Sequence, residues 1–419
     1  MIATAIIILI IVALLGAPLF SVLAAGALLA SQTLELSPDL LIIEMNRLAS
    51  SPNMIALPLF ILAGVIMSSG GAAQRLVIFF RAAFGWLPGG LAIVTIGSCA
   101  FFTMFSGASG VTILALGGLL YPILKNEGYR NNFSLGLLTT SGSLGLLFPP
   151  SLAILVFGIV AGISIEELFM AGIIPGLVLM LMLAIYSMFV GYEHAISRTA
   201  FKLSPLISSI RGCIFDLLLP VTIIVGIFGG FVSITEAAAV TASYVLFIDT
   251  VIYKQINIRT QLFSIFTEAS LLFGSLLIIL LIALGLTNLL IDEQIPMKIL
   301  GFVEQHINSK VQFLLLLNLF LLIVGATMDI FSAIIVVVPL ILPLALRYGV
   351  DPVHLGVIFL ANLEIGYSTP PVGINLFIAS QRFKQPILKL FKSTLPFLLL
   401  MFIWLLIITY IPVLSLWWR

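Results

Sequence analysis

Asp329 and Glu364 are carboxylates set inside otherwise apolar stretches, 311–346 and 353–380. An ionisable group in such a stretch ordinarily faces a cavity or a partner. Hydroxyls gather at comparable places: Ser106 and Ser109 in "FSGASG", Ser141 and Ser143 ahead of Pro149-Pro150, and Ser368 and Thr369 ahead of Pro370-Pro371. The prolines remove amide donors and end the half-helix before them. Carbonyls near Gly145 and Gly366 are thereby left at the negative end of a helix dipole. Neutral oxygens with a carboxylate suit a hard monovalent cation, and sodium fits them better than zinc or copper.

The remaining titratable groups carry less. Asp329 precedes the run 330–346, where it acts as a helix N-cap, either alone or in combination with cation binding. Glu364 stands one turn before the second break and either serves the site or seals a domain contact. Glu236 opens "TEAAAV" and is structural, with Thr235 capping; Asp249 and Glu268 are expected near an interface. His194, His306 and His354 fall in predicted loops as surface residues, and Cys99 and Cys213 read as packing residues, with neither a disulfide nor a metal cluster expected.

These groups must be positioned within lipid. Apolar residues make up 61% of the 419 positions and charged ones 8%, too few polar groups to cover a water-soluble surface. Span candidates recur from 2–30, read as a first span and not as a cleaved leader, to 395–417, and several between them are too short or interrupted for an ordinary crossing. A net charge of +1 and the lack of a basic, aromatic-rich stripe set nucleic-acid binding aside.

With Arg75 and Arg81 on the cytoplasmic side, alternate threading places 13 of the 18 basic residues there, as the positive-inside rule requires. The N-terminus is then cytoplasmic and the C-terminus periplasmic. The threading requires 88–124 and 311–346 each to enter and leave on one side, as re-entrant hairpins; the alternative is two full spans with tight turns in each.

Pro122, Gly128 and Pro149 are repeated by Pro343, Gly349 and Pro370, each 221 residues on. At that offset "SGSLGLLFPP" (141–150) aligns with "NLEIGYSTPP" (362–371), and the tip "SGAS" (106–109) with "TMDI" (327–330). Two units thus share one plan, a hairpin and then a helix broken before Pro-Pro, and the threading inverts one relative to the other. Inverted repeats mark transporters, and broken backbone at membrane depth is tolerated where it lines a shared interior site. The expected fold is therefore an all-α polytopic membrane protein with two inverted repeats.

The stretches "ALPLFILAGVIM" (56–67), "FSGASGVT" (105–112), "GLLFPPS" (145–151), "SIEELFMAGIIPG" (164–176), "GGFVSITEAAAV" (229–240) and the long run from Gly325 to Phe377 span most of the chain. In them the chain resembles the large membrane subunit of tripartite ATP-independent periplasmic (TRAP) transporters. The resemblance implies a sodium-driven importer of the bacterial inner membrane and not an enzyme. It implies an elevator movement, in which a domain holding both hairpins slides against a scaffold. It further implies a small four-helix membrane subunit and a soluble periplasmic binding protein that delivers the substrate, usually a carboxylate. By motif match Ser106, Gly107 and Gly145, beside Ser109, fall at one sodium site, and Gly325, Asp329, Gly366 and Thr369 at the other. One departure is Thr112, where many relatives carry an acid.

On this plan residues 1–87 are scaffold helices and an amphipathic arm; 88–162 form the first transport repeat, with hairpin 88–124 and broken helix 133–162; 163–310 are scaffold and connections. Residues 311–380 form the second repeat, with hairpin 311–346 and broken helix 353–380, and 381–419 an amphipathic arm and last span. An anionic substrate is expected between Ser143 and Asn362, beside cations at both tips. Two rivals are a divalent-anion/sodium symporter that needs no binding protein, and an intramembrane hydrolase using Asp329 with Glu364. The second is disfavoured because the other repeat aligns only Ala108 and Ser143 with those acids.

Overall fold

The computed structural model describes residues 8–9, 11–12, 17, 19–33, 42–43, 46, 50–193, 200–292, 301, 306–307 and 309–419. Part of the expected span at 2–30 and most of the acid-bearing loops at 35–44 and 292–304, with His194, lie outside these residues. The described elements are helices: α1 Leu19–Thr33, α2 Pro52–Ser69, α3 Ala72–Phe84, α4 Gly90–Ser106, α5 Ser109–Asn126, α6 Asn131–Ser141, α7 Leu152–Ala161 and α8 Ile165–Glu193. They continue as α9 Leu203–Phe228, α10 Ile234–Phe247, α11 Leu262–Asp292, α12 Lys310–Thr327, α13 Ile330–Arg347, α14 Pro352–Gly366, α15 Ile374–Phe383 and α16 Ile387–Tyr410. Seven helices among the described residues are long and apolar enough to cross a bilayer, or up to nine if each of two bent pairs is one span.

In each expected hairpin segment two helices are joined by a two-residue connection, and α12 and α13 are each long and apolar enough to cross a bilayer. The arms α4 and α5 are joined by Gly107 and Ala108, and α12 and α13 by Met328 and Asp329. Gly107 takes φ +65°, a left-handed conformation that closes the first tip without strain only because it lacks a Cβ. The helix boundaries at Ser106, Ser109, Asn126 and Asn131 recur at Thr327, Ile330, Arg347 and Pro352, each 221 residues on. Both Pro-Pro bonds, Pro149-Pro150 and Pro370-Pro371, are cis.

In the first unit α6 stops at Ser141, a short tight turn follows over Leu144–Leu147, and α7 leaves at 47° to the segment before the break. In the second, α14 ends at Gly366 and α15 begins at Ile374. The packing crosses over between units: α13 lies against α7, and α5 against α15. Each hairpin is thereby held by the half-helix that follows the other unit's break.

A second set of helices surrounds α2, which packs on α10, α11 and α4. At the junction of α2 and α3 the chain bends by 71° through Gly70 and Gly71. Arg75 braces this bend. Its Nε and Nη2 donate to Asp216 at 2.7 and 2.8 Å, Nη2 also to Asp249 at 3.1 Å, Nη1 to the Gly70 carbonyl at 2.8 Å, and the guanidinium lies over the Tyr253 ring. Two acids around one guanidinium meet the partner requirement of a charge taken out of water.

Four expectations change. First, α8 packs on α4, α7 and α14, and α16 on α6, α14 and α15, so these two helices sit with the hairpins although their segments read as scaffold and arm. Secondly, the arm expected at the start of 381–419 is not a separate element, because residues from Ile387 onward already form the first turns of α16. Thirdly, His354 is buried on α14, where Nε2 donates to the Thr409 carbonyl and Nδ1 meets Ser415 Oγ, both at 3.2 Å. The helix start that carries it there is set by Asp351, whose carboxylate accepts from the amides of Val353 and His354. Fourthly, the capping box ahead of "TEAAAV" is closed by Ser233 with Glu236, not by Thr235.

Candidate functional site at the two hairpin tips

The first tip is built from hydroxyls. Thr103 Oγ1, on the last turn of α4, lies 2.7 Å from Thr112 Oγ1 on α5 and donates to the Gly142 carbonyl at 2.8 Å. Ser106 Oγ is 3.5 Å from Thr112 Oγ1 and 3.4 Å from the Ala108 carbonyl. Gly145 sits against α4 so closely that a Cβ would run into the Ala100 carbonyl and the Thr103 side chain. Thr103, Ser106, Thr112 and the stretch Gly142–Gly145 therefore form one cluster of neutral oxygens, of the kind a hard monovalent cation takes. The sequence marks Thr103 only by a hydroxyl nine residues before Thr112 across the tip.

At the second tip Asp329 is the N-cap of α13, its Oδ1 accepting from the amides of Phe331 at 3.0 Å and Ser332 at 3.1 Å. The Ile330 amide donates to the Tyr367 hydroxyl. Gly325 and Gly366 touch backbone to backbone, the relation that Met104 and Gly145 repeat 221 residues earlier. Thr369 Oγ1 donates to the Ile365 carbonyl at 2.9 Å. The carbonyls expected to be freed are used in turns: Gly145 accepts from the Phe148 amide at 3.1 Å and Gly366 from the Thr369 amide at 2.9 Å. Each carbonyl keeps a second lone pair.

The two tips face one cavity of about 320 Å³. Its lining runs from Gly107 to Val111 on the first tip and from Asp329 to Phe331 on the second, and includes Leu114, Leu146, Tyr367, Ile374 and Ile378. A volume of this order matches a small organic solute. Ser109 and Asp329, predicted for different cation sites, are brought into the lining of one cavity. Tyr367 joins them; in the sequence it stands as one aromatic residue between Gly366 and Ser368, with no spacing that marks it.

Ser143 and Asn362 do not line this cavity. Ser143 Oγ donates to the Thr140 carbonyl at 3.2 Å. Asn362 is fully buried, its Nδ2 donating at 2.8 Å to both Asn318 Oδ1 and the Ile358 carbonyl, while Asn318 Nδ2 donates to Thr409 Oγ1 at 3.2 Å. Glu364 is also fully buried and away from the cavity, and neither of its carboxyl oxygens has a hydrogen-bond partner among the described residues. Asp329 and Glu364 thus do not face one pocket, which removes the geometric basis for a paired-carboxylate hydrolase.

The model of the family described as the tripartite ATP-independent periplasmic transporter, DctM component, matches residues 6–414. The chain belongs to the DctM family. The C4-dicarboxylate TRAP transporter large permease protein DctM of Vibrio cholerae is 35% identical over 403 residues, covering 89% of this chain and 86% of that protein. The ectoine TRAP transporter large permease protein TeaC of Halomonas elongata is 33% identical over 83% of this chain and 82% of that protein. The isethionate TRAP transporter permease protein DctMQ of Oleidesulfovibrio alaskensis is 36% identical over 88% of this chain and 58% of its own length. In fold, the chain is similar to the Alcanivorax borkumensis YdaH transporter, with a TM-score of 0.63 at 15% identity over 89% of this chain and 87% of that one. This DctM-family chain is a multi-span membrane transport protein and not an enzyme.

Proposed function

We propose that this chain is the translocating subunit of a sodium-coupled importer that carries a small organic anion, in the manner of an elevator, across the bacterial inner membrane. One observation carries the proposal: two hairpin tips from separate repeat units, one rich in hydroxyls and one bearing a carboxylate, converge on a single solute-sized cavity.

Sodium fits the donors present. The first site would draw on Ser106, Gly107 and Gly145, with Thr103 and Thr112 beside them, while Ser109, whose hydroxyl does not join that cluster, is left to the cavity it lines; the second would draw on Gly325, Asp329, Gly366 and Thr369. Bound there, sodium would supply positive charge beside an anion. The protein's own part is to hold the hairpins against the crossed half-helices α7 and α15, so that the tips keep their spacing while the solute is enclosed. Relatives named for dicarboxylate, ectoine and isethionate support a small polar or anionic cargo.

Family membership supports two partners, a small four-helix membrane subunit and a periplasmic binding protein that hands over the substrate. The cytoplasmic N-terminus and periplasmic C-terminus belong to the same proposal and rest on the distribution of basic residues.

The test is uptake into proteoliposomes holding this chain and its small subunit, with the binding protein and substrate outside. Uptake is expected to require a sodium gradient and the binding protein. Uptake that persists after sodium is replaced by potassium would refute the coupling, and uptake without any binding protein would favour an autonomous symporter.

A further inference from the structure

We propose that the cavity between the tips accepts one carboxylate, at the N-terminus of α5, together with an apolar body, so that the cargo is a monocarboxylate with an apolar substituent and not a diacid. The inference rests on the proposed transport function and names the substrate class for it.

The first-turn donors of the helices around the cavity differ in use. In α13 they are consumed: Ile330 gives its amide to Tyr367, and Phe331 and Ser332 give theirs to Asp329. In α15 the Ile374 amide alone is left open: that of Asn375 goes to the Tyr367 carbonyl and those of Leu376 and Phe377 to the Gly373 carbonyl. In α5 no side chain caps the first turn, and the regular bonding begins with Thr112, whose amide reaches the Ala108 carbonyl at 3.4 Å. The amides of Ser109, Gly110 and Val111 are thus the open donors of this turn, and all three residues line the cavity. Open first-turn amides at the positive end of a helix dipole are an anion site. Ser109 adds a second observation: it is only 5% exposed, lines the cavity, and its hydroxyl makes no hydrogen bond among the described residues.

A second carboxylate has nowhere comparable to go. Lysine, arginine and histidine are absent from the lining, which on its other walls is built from Leu114, Leu146, Phe331, Ile374 and Ile378. Arg382 lies on the same seam between α5 and α15, but its guanidinium packs over Gly118 while Ile378 packs over Gly110. Eight residues along α5 place it on the order of 12 Å beyond the cavity wall. Charge balance agrees. A cation among the neutral oxygens of the first tip keeps its full charge, whereas one beside Asp329 is neutralised by that carboxylate, so the pair of sites compensates a single anion.

The test measures binding by thermal stabilisation of the purified full chain with its small subunit in sodium chloride, using 4-methyl-2-oxopentanoate and succinate as probes. The monoacid is expected to bind at least tenfold more tightly. Ser109→Pro removes an amide and the hydroxyl at a position where proline is compatible with a helix start, and is expected to weaken monoacid binding tenfold or more. Phe331→Arg supplies a cationic group on the wall and is expected to confer succinate binding. Succinate binding equal to or tighter than the monoacid, no stabilisation by either probe, or an unchanged affinity in a folded Ser109→Pro protein would each overturn the proposal. Should the monoacid preference hold while stabilisation and uptake prove independent of sodium, the coupling falls and the single-carboxylate site stands.

Discussion

Gly366, at the end of α14, meets Gly325, near the end of α12, with no room for a side chain between them: a Cβ on Gly366 would lie 2.5 Å from the Gly325 Cα. The contact fixes the second hairpin against the second break, and its counterpart, Gly145 against Met104, fixes the first. Gly366→Ala must therefore displace backbone, and overpacking of this kind costs about 1–3 kcal/mol. A fall in the thermal midpoint of the detergent-solubilised protein is expected, with Gly145→Ala behaving alike. Gly274, on α11, has nothing within 4 Å of where a Cβ would stand, and Gly274→Ala is expected to be neutral or to stabilise by about 0.5–1 kcal/mol. Equal effects at Gly366 and Gly274 would contradict the assignment.

Capping and cation binding at Asp329 separate by substitution. Asp329→Asn retains an oxygen able to accept from Phe331 and Ser332, whereas Asp329→Ala loses the cap at about 1 kcal/mol. The Asn variant is expected to keep its thermal midpoint while its stabilisation by added sodium weakens markedly, and the Ala variant to lose both. If Asn and wild-type proteins respond identically to sodium, Asp329 is a cap and nothing more.

Asn318, Asn362 and Thr409 form a buried chain tying α12, α14 and α16 together. Asn318→Ala takes one of its two acceptors from Asn362 Nδ2, which keeps the Ile358 carbonyl, and a buried N–H left without its partner costs about 1–3 kcal/mol. Single and double alanine variants at Asn318 and Asn362 are expected to be strongly non-additive in unfolding measurements. Additive losses, with substrate affinity reduced only at Asn362, would return that residue to the substrate site.

Glu364 carries two carboxyl oxygens without partners among the described residues. Exchanging such a group for an apolar one of similar shape is neutral or stabilising. Glu364→Met is accordingly expected to hold or raise the thermal midpoint, measured by scanning fluorimetry. A drop of several degrees would reveal that water or an ion satisfies the carboxyl.

The sequence by itself determined the features that depend on local chain chemistry. Apolar composition placed the chain in lipid, Pro and Gly spacing placed the helix ends, and the offset of 221 between the units matched boundaries to the residue at Ser106 and Thr327 and at Ser109 and Ile330. The N-cap role of Asp329 was legible because a cap needs only its next three residues. Relations between distant residues were decided by tertiary structure alone. His354 is buried because Thr409 and Ser415 fold over it, and Arg75 is neutralised by Asp216, 141 residues away. Ser109 and Asp329 share one cavity because α5 packs on α15 and α13 on α7. Local pattern tells which side of a helix is apolar. In a chain apolar on nearly every side it does not tell which neighbour that side meets, and the meeting of neighbours is what sets the site.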